Sequence, residues 1–229
     1  RLRQQGIPTT LVEKAREVGG TMAFASNAYQ YVSGTSLDPQ SKKMSISELA
    51  TKLQKAGKGN LEMIQDFQSR LQETINWQTE DLGMTFENKY ISDAKDANLT
   101  SAKYEKKKDE LLALLRREIG VSRADVYTNA ALVGYLKEGH KIVGVRIKKA
   151  NGRLVDIRAQ AVVLAMGSQL RNMDGLTPLD ATHVFGGPIQ NQGDGLVLAK
   201  QEKYDVTSSL PSIMAQAGAN DQTQAVSVE

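Results

Sequence analysis

The hydrophobic and polar positions divide the chain into a short strand, a helical middle part and a strand-rich second half. Near the start, the apolar run Thr10-Leu11-Val12 ends at the acid Glu13, and the double glycine Gly19-Gly20 closes the segment. We predict a strand that ends at Glu13, followed by mostly loop over 22–43, where the pattern has no clear period.

Three segments between residues 45 and 119 repeat apolar residues at helical spacing. The predicted helices begin at Ser45, after the capping residue Asn60, and at Lys106, and glycines are expected to end them. Residues 86–103 are polar and give no clear prediction. The apolar positions of the three predicted helices, each set followed by its glycine stops, are Ile46, Leu49 and Leu53 with Gly57 and Gly59; Leu61, Ile64, Phe67, Leu71 and Ile75 with Gly83; and Leu111, Leu112, Leu114, Leu115 and Ile119 with Gly120.

Beyond Gly120 the period changes to alternation, which is typical of strands. The stretch "KIVGVRIKKANGRLVDIRAQ" predicts a hairpin at Asn151-Gly152, with positive φ at both turn positions, inside a three-stranded meander. The run "AVVLAMG" at 161–167 predicts a strand buried on both faces. A loop over 168–192 and a helix that opens at Gly193 should follow, and the last ten residues are expected to fray.

Composition narrows the possible functions without selecting one. The 229 residues are 40% hydrophobic and 24% charged, with a net charge of +3, as in an ordinary globular protein. The chain has no cysteine, which excludes disulfides, thiolate catalysis and cysteine metal sites. No apolar stretch is long enough to span a bilayer, so we expect no membrane span. The composition leaves the compartment, cytoplasmic or exported, and the oligomeric state open.

Three places could carry chemistry. Glu13, at the end of a strand, either accepts hydrogen bonds from a ribose diol or is a solvated strand-end glutamate. Gly19-Gly20 lets the backbone pass close to a large ligand. Asp194, between two glycines in "NQGDGLVLA", is either the cap of a helix or the acceptor of a cofactor hydroxyl.

The remaining polar features favour plain surface roles. His140 is expected in a turn and His183 in a loop, and neither has a partner at metal-ligand spacing, so we predict no metal site. The run "KYEKKKDE" at 103–110 mixes lysines with acids and predicts a solvated helix face. Without interleaved aromatic residues it does not indicate nucleic-acid binding.

The order of these features resembles the flavoprotein family of fumarate reductase and succinate dehydrogenase, most of all the soluble fumarate reductases. The stretches that carry the resemblance cover roughly residues 5 to 205: "LVEKAREVGGT", "INWQTEDLGMTF", "GHKIVGVRIKKANGRLVDIRAQAVVLAMG" and "GDGLVLAKQ". The resemblance implies an α/β fold, a partial Rossmann-like FAD-binding domain of the two-dinucleotide-binding type. The helical insert would cover about 45–119 and the β-meander about 124–160.

The resemblance also implies which residues bind FAD. Glu13 would hold the adenosine ribose, the next residue Lys14 is also a cofactor-binding candidate, and the backbone of Leu132 would meet the adenine. The turn Gly19-Gly20-Thr21 would pass along the pyrophosphate and ribityl chain. The segment Ala165-Met166-Gly167 would lie beside the cofactor, and Asp194 would face its ribityl end. No catalytic residue is implied within this chain.

Several features depart from the family pattern. The glycine-rich phosphate loop, expected about 20 residues before Glu13, is not found. Ala165-Met166-Gly167-Ser168 stands where the family has Ala-Thr-Gly-Gly, and the bulkier Ala25-Ser26-Asn27-Ala28 where it has a small glycine-rich stretch. The family's substrate histidine, proton-donating arginine and capping domain follow the Gly-Asp-Gly helix. We therefore expect an internal piece of a larger flavoprotein, inactive on its own.

Two functions fit these observations. The first is part of an FAD-dependent oxidoreductase that moves a hydride between flavin and an activated C=C bond of a small-molecule substrate. The second is a non-catalytic binding or scaffold protein that keeps the fold without flavin. Met166 and the Ser26-Asn27 pair favour the second.

Overall fold

The computed structural model describes residues 1–24, 28–29, 35–37, 45–57, 59–93, 96–104, 108–167, 190–204, 216–218 and 225–227. The chain divides into two compact units. The first contains residues 1–24, 119–207 and 214–229, and the second contains 25–118 and 208–213. Every residue that the sequence nominates for cofactor binding belongs to the first unit.

Two small sheets form the core of the first unit. Strand β1 (Thr10–Val12) pairs in parallel with β5 (Asp125–Tyr127), so the predicted strand before Glu13 is confirmed. Three antiparallel strands in the order β6-β7-β8 form the predicted meander. Their bounds are Ala130–Glu138, Lys141–Lys149 and Leu154–Arg158.

Alternation along the central strand β7 produces the core of this unit. Val145 and Ile147 point to the same face because side chains alternate along a strand, and both are buried, together with Ala130. Val12 and Tyr127 pack against this cluster from the parallel pair. The two sheets therefore share one hydrophobic core, which joins the end of β1 to the meander.

The hairpin between β7 and β8 has a different turn from the predicted one. The Lys149 amide donates to the Arg153 carbonyl at 2.9 Å, which leaves a three-residue loop from Ala150 to Gly152. Only Gly152 has positive φ, at +81°, and Asn151 does not. The expectation of positive φ at both turn positions is wrong because the longer loop needs a single left-handed residue, a position that glycine fills.

The apolar run 161–167 is not the buried strand that its composition predicts. Within the described ranges no strand pairs with it, and the side chain of Val163 is 81% exposed. Val162 alone packs against the meander core. An apolar run becomes a ladder strand only where a neighbouring strand satisfies its backbone groups, and composition does not reveal whether that neighbour is in place.

Helix α4 (Asp194–Gln201) opens directly after Gly193, as predicted. Leu198 is its buried residue, and Glu202, just past its end, forms an ion pair with Lys137 on β6. The hydrogen bond to the Glu202 carboxylate raises the pKa of Lys137. Strands β9 (Gln216–Gly218) and β10 (Ala225–Ser227) pair antiparallel, so the expectation of a frayed end is wrong for 225–227.

The second unit holds two of the predicted helices. Helix α1 (Ile46–Gly57) begins with a capping box, in which the Ser45 amide donates to the Glu48 carboxylate at 2.8 Å. Hydrogen bonds from the Ser45 hydroxyl and from the Ser45 amide lower the pKa of Glu48. Helix α2 (Leu61–Asn76) is capped by Asn60, whose side chain accepts from the Met63 amide, as predicted.

Helix α2 continues as a π-helical turn over Trp77–Asp81, and Gly83 at φ +65° follows the end of this helical segment. Its buried residues are Gln68, Leu71 and Ile75, whereas Phe67 is 61% exposed. The prediction that Phe67 lies in the buried stripe is therefore wrong. The stripe follows the packing against neighbouring segments rather than apolar character alone.

Helix α3 (Lys108–Val121) crosses the boundary between the two units, and Leu111, Leu112 and Leu114 are its buried residues. The helix runs through the expected stop at Gly120. Arg123, at φ +53°, takes the left-handed position after the helix instead. The lysine-rich run 103–110 is not one helix face, because Lys103 and Tyr104 lie in strand β4 (Asp96–Tyr104), whereas residues 108–110 lie in helix α3.

An antiparallel sheet in the order β2-β4-β3 completes the second unit. It covers Ala28–Tyr29, Asp96–Tyr104 and Phe86–Asp93, so strands occupy the polar stretch 86–103 that gave no prediction. Strand β2 and the 3-10 turn Gly20–Phe24 also interrupt the loop expected over 22–43. None of the helices in the described part of the chain is both long and apolar enough to cross a bilayer.

The meander depends on a glycine in its central strand. A Cβ on Gly144, at φ +155°, would lie 2.2 Å from the Ile157 carbonyl oxygen. We predict that Gly144→Ala lowers the free energy of unfolding by about 2 kcal/mol or more, because the two strands would have to separate. Gly134 on β6 is the control, since a Cβ there meets nothing within 4 Å. Equal losses in urea unfolding for the two variants would contradict this account.

Candidate functional site

The end of strand β1 is held by main-chain hydrogen bonds to the connection between β5 and β6. The Glu13 amide donates to the Tyr127 carbonyl at 2.8 Å, and the Glu13 carbonyl accepts from the Ala130 amide at 3.0 Å. The Ala15 carbonyl accepts from the Asn129 amide at 2.8 Å. Asn129 has a left-handed φ of +50°, a conformation that asparagine tolerates better than most residues. These bonds fix the backbone from which the Glu13 and Lys14 side chains project.

The Glu13 carboxylate is oriented by its own turn. Its Oε1 accepts a hydrogen bond from the Ala15 amide at 2.7 Å, and the residue is half-buried. It stands at the carboxyl end of a parallel strand, the edge at which ligands bind in open α/β sheets. The strand-end position expected for Glu13 is therefore confirmed, and the carboxylate is ordered by a local bond.

The double glycine forms a turn that only glycine adopts easily. Gly19 has φ +131° and Gly20 has φ +45°, and the Met22 amide donates to the Gly19 carbonyl at 2.9 Å. A Cβ on Gly20 would meet nothing within 4 Å, so backbone conformation rather than crowding requires glycine there. The next residue, Thr21, is exposed, and its hydroxyl accepts from the Asn191 side-chain amide at 2.9 Å.

The segment Ala165-Met166-Gly167 lies against the start of helix α4. Gly167 has φ +77°, and a Cβ on it would stand 2.7 Å from Asn191 Oδ1. The Met166 methyl group would stand 3.2 Å from a Cβ on Gly195, so methionine packs closely on the first turn of the helix. Ala165 is exposed.

Asp194 is the first residue of helix α4 and not its cap. Gly193, at φ +74°, takes the capping position and offers no side chain. The Asp194 carboxylate instead forms an ion pair with Lys14, with Nζ and Oδ2 2.8 Å apart, and the two side chains are 30% and 32% exposed. Lys14 Nζ also donates to Gln192 Oε1 at 3.3 Å. The helix-cap interpretation of Asp194 is thus wrong.

The nominated residues therefore form one polar cluster with one outlier. The cluster comprises Glu13, Lys14, Gly19, Gly20, Thr21, Ala165, Met166, Gly167 and Asp194, which lie on segments linked by the bonds and close approaches described above. Leu132 is the outlier, because its side chain lies opposite Ile147 on the meander and packs into the apolar core. Its strand is linked to the cluster through the bond between Ala130 and Glu13.

Sequence reasoning missed two members of the cluster, Asn191 and Gln192. Both stand directly before the Gly-Asp-Gly stretch, and each side chain bonds a segment near the start of the chain, at Thr21 and at Lys14 respectively. Two consecutive amides before a glycine were the available signal. This signal is weak, because uncharged amides are common in loops.

Other nominated residues lie elsewhere. His140 is exposed in the turn between β6 and β7, as predicted. Ala25-Ser26-Asn27, Ser168 and His183 lie outside the described residues. No group of three or more metal-ligating side chains occurs within the described ranges.

The chemistry of the cluster suits a ligand that carries both hydroxyl groups and phosphates. Carboxylates accept hydrogen bonds from hydroxyl groups, and the ammonium group of Lys14 suits phosphate oxygens. The left-handed glycines leave open backbone without Cβ atoms beside these groups. This combination of donors and acceptors matches a dinucleotide better than an apolar molecule.

Known protein families and solved structures include some that resemble this chain. A family model described as an FAD binding domain matches residues 1–215. No curated protein matches the sequence significantly. Similar solved structures share the fold at low identity.

An open-conformation flavocytochrome c3 fumarate reductase has a TM-score of 0.72 at 19% identity, with 87% of this chain and 36% of that chain covered. A 3-ketosteroid-Δ4-(5α)-dehydrogenase from Rhodococcus jostii RHA1 has a TM-score of 0.73 at 18% identity, with 86% and 49% covered. Sdh1 from Mycobacterium smegmatis has a TM-score of 0.65 at 17% identity, with 87% and 35% covered. The chain thus spans about a third to a half of the length of these relatives.

The ion pair between Lys14 and Asp194 should contribute modestly to stability. A double-mutant cycle with Lys14→Met and Asp194→Asn is expected to give a coupling of about 0.5–1 kcal/mol in urea unfolding, because the pair is partly exposed. The coupling should fall in 1 M salt. The exposed pair Arg70–Asp66 on α2, with side chains 69% and 62% exposed, is the control and should couple less. A coupling of zero at low salt would contradict the link.

Proposed function

The chain belongs to the FAD-binding domain family, with FAD as its cofactor, and we propose that the cluster around Glu13 and Asp194 is the part of this domain that holds the cofactor. The observation that carries the proposal is the convergence on that cluster of two segments near the start of the chain and two segments beyond residue 164. These segments are 13–15, 19–21, 165–167 and 191–195.

Glu13 would bind the adenosine half of FAD. A carboxylate at the end of a parallel strand can accept hydrogen bonds from both hydroxyl groups of a ribose. The bond from the Ala15 amide to Oε1 supports this role, because it orients the carboxylate before a ligand arrives. Leu132 would meet the adenine through its backbone, since its side chain is committed to the meander core.

The glycine turn and Asp194 would hold the middle of the cofactor. Gly19-Gly20 would let the backbone run alongside the pyrophosphate and ribityl chain without Cβ atoms in the way. The positive charge of Lys14 suits the pyrophosphate, and the Asp194 carboxylate suits a ribityl hydroxyl. Both side chains are about one-third exposed, which leaves them accessible to a ligand.

Bound FAD would supply hydride transfer, and we propose that the whole protein uses it on an activated C=C bond of a small molecule. The names of two structural neighbours, a fumarate reductase and a 3-ketosteroid dehydrogenase, support this class of substrate. The part played by the residues of this chain would be binding and orientation of the cofactor. We assign none of them as an acid, base or nucleophile.

The alternative function is a binding or scaffold protein that keeps the fold and does not carry out redox chemistry. The specific observation in its favour concerns Met166, whose methyl group fills space against the first turn of α4. The fumarate reductase and succinate dehydrogenase flavoproteins have a threonine at this position. Flavin absorbance of the purified protein distinguishes the two functions. Yellow protein with bound FAD supports the oxidoreductase, and protein that purifies colourless and does not take up added FAD supports the alternative.

The first prediction of this proposal concerns the ribose contact. Glu13→Gln should weaken FAD binding at least tenfold in a fluorescence titration, because a charge-assisted hydrogen bond contributes about 1.5–3 kcal/mol. FMN lacks the adenosine half, so its weaker binding should be unchanged. Glu62→Gln, on helix α2 in the other unit, is the matched charge control. Equal FAD affinity for wild type and Glu13→Gln would contradict the ribose assignment.

The second prediction concerns turnover. An anaerobic assay of the chain with FAD, reduced viologen and fumarate should give no rate above free flavin, because the proposed cluster binds a cofactor and supplies no proton donor for the substrate. The same mixture without protein is the control. Turnover clearly above it would indicate a catalytic group that the cluster does not contain.

A further inference from the structure

Asn191 lies between two parts of the cluster and has no role in the binding scheme described so far. Its Nδ2 donates to the Thr21 hydroxyl at 2.9 Å, across a sequence separation of 170 residues. The same carboxamide lies beside Gly167. One short side chain therefore touches both the glycine turn at 19–21 and the turn at 165–167.

Gly167 provides the room that this arrangement needs. A Cβ at this position would stand 2.7 Å from Asn191 Oδ1 and 3.2 Å from its Cγ, distances too short for an unshifted side chain. Its φ of +77° independently favours glycine. Glycine at 167 thus allows the carboxamide of Asn191 to reach Thr21.

The next residue, Gln192, also bonds a segment near the start of the chain. Gln192 accepts a hydrogen bond from Lys14, and Lys14 also pairs with Asp194. The segment before helix α4 is therefore attached to residues 14 and 21 by adjacent side chains, one on each side of the Gly19-Gly20 turn. Removal of the Asn191 contact would leave the attachment at Lys14 and release the glycine turn.

We infer that Asn191 is a positioning residue of the cofactor site, which holds the Gly19-Gly20-Thr21 turn and the Met166-Gly167 turn at a fixed separation. The inference rests on the proposed function, because the spacing matters only if a ligand passes between these two turns. Asn191 would act through Thr21 and Gly167 and would not need to touch the cofactor. A fixed spacing lowers the ordering cost of binding, which is the physical basis of preorganisation.

The test is a double-mutant cycle on FAD affinity with Asn191→Ala and Thr21→Val. Each single variant should weaken FAD binding about fivefold, the effect of losing one neutral hydrogen bond. The double variant should be no weaker than either single variant, because both remove the same bond. Thr21→Ser, which keeps the hydroxyl, should bind FAD like wild type, and Gln190→Ala in the same loop is the control. Unchanged affinity in the single variants, or additive losses in the double variant, would overturn the inference.

Gly167→Ala gives an independent arm of the test. In the wild-type background its Cβ should displace the Asn191 carboxamide and weaken FAD binding more than tenfold, through both the lost contact and the strained φ. In the Asn191→Ala background the same substitution should cost less, because no carboxamide remains to be displaced. Equal losses in the two backgrounds would count against the proposed link between Gly167 and Asn191.

This inference and the proposed function fail in different ways. Failure of the wild-type chain to bind FAD would contradict the proposed function. The link that Asn191 forms between the two turns is then tested by urea unfolding of the same four proteins of the cycle, without any ligand. Coupling between Asn191→Ala and Thr21→Val would support this link, and additive effects on stability would overturn it.

Discussion

The candidate site depends on the way the main chain is held at the end of strand β1. The Glu13 amide donates to the Tyr127 carbonyl, and the carbonyls of Glu13 and Ala15 accept from the amides of Ala130 and Asn129. The strand itself has three residues, too few to stay ordered on its own. Its register comes from the parallel pairing with β5 and from Val12, which packs into the meander core. The meander thus supplies the rigidity on which the Glu13 turn is built.

The opposite wall of the site is attached more weakly. Helix α4 and the loop before it reach the start of the chain through side chains, at Lys14 and Thr21, and these bonds are partly or fully exposed. Exposed polar bonds of this kind each contribute about 1 kcal/mol or less. The other end of the helix is fixed by the ion pair between Lys137 and Glu202. One wall of the candidate site is therefore set by main-chain bonds and the other by the side chains of Lys14, Asn191 and Asp194.

The sequence predicted the parts of the fold that local rules determine. The strand before Glu13, the meander and the Asn60 cap follow from periodicity and from residues that satisfy backbone groups, and all three are confirmed. The burial of 161–167 could not be predicted, because it depends on whether a neighbouring strand pairs with that run. The ion pair of Lys14 with Asp194 and the contact of Asn191 with Thr21 join residues more than 160 positions apart, and no local pattern signals such pairs. The family resemblance placed Asp194 at the site, whereas Asn191 emerged only from the coordinates.

The measurement that tests the account most directly is amide hydrogen exchange of the chain with and without FAD, read by mass spectrometry. If the four convergent segments hold the cofactor, FAD should slow exchange in peptides that cover 13–22, 165–167 and 190–197. Helices α1 and α2 in the other unit should keep their exchange rates and serve as the internal reference. Protection confined to that other unit, or bound FAD with no protection at 13–22 and 190–197, would contradict the central claim that this cluster is the cofactor site.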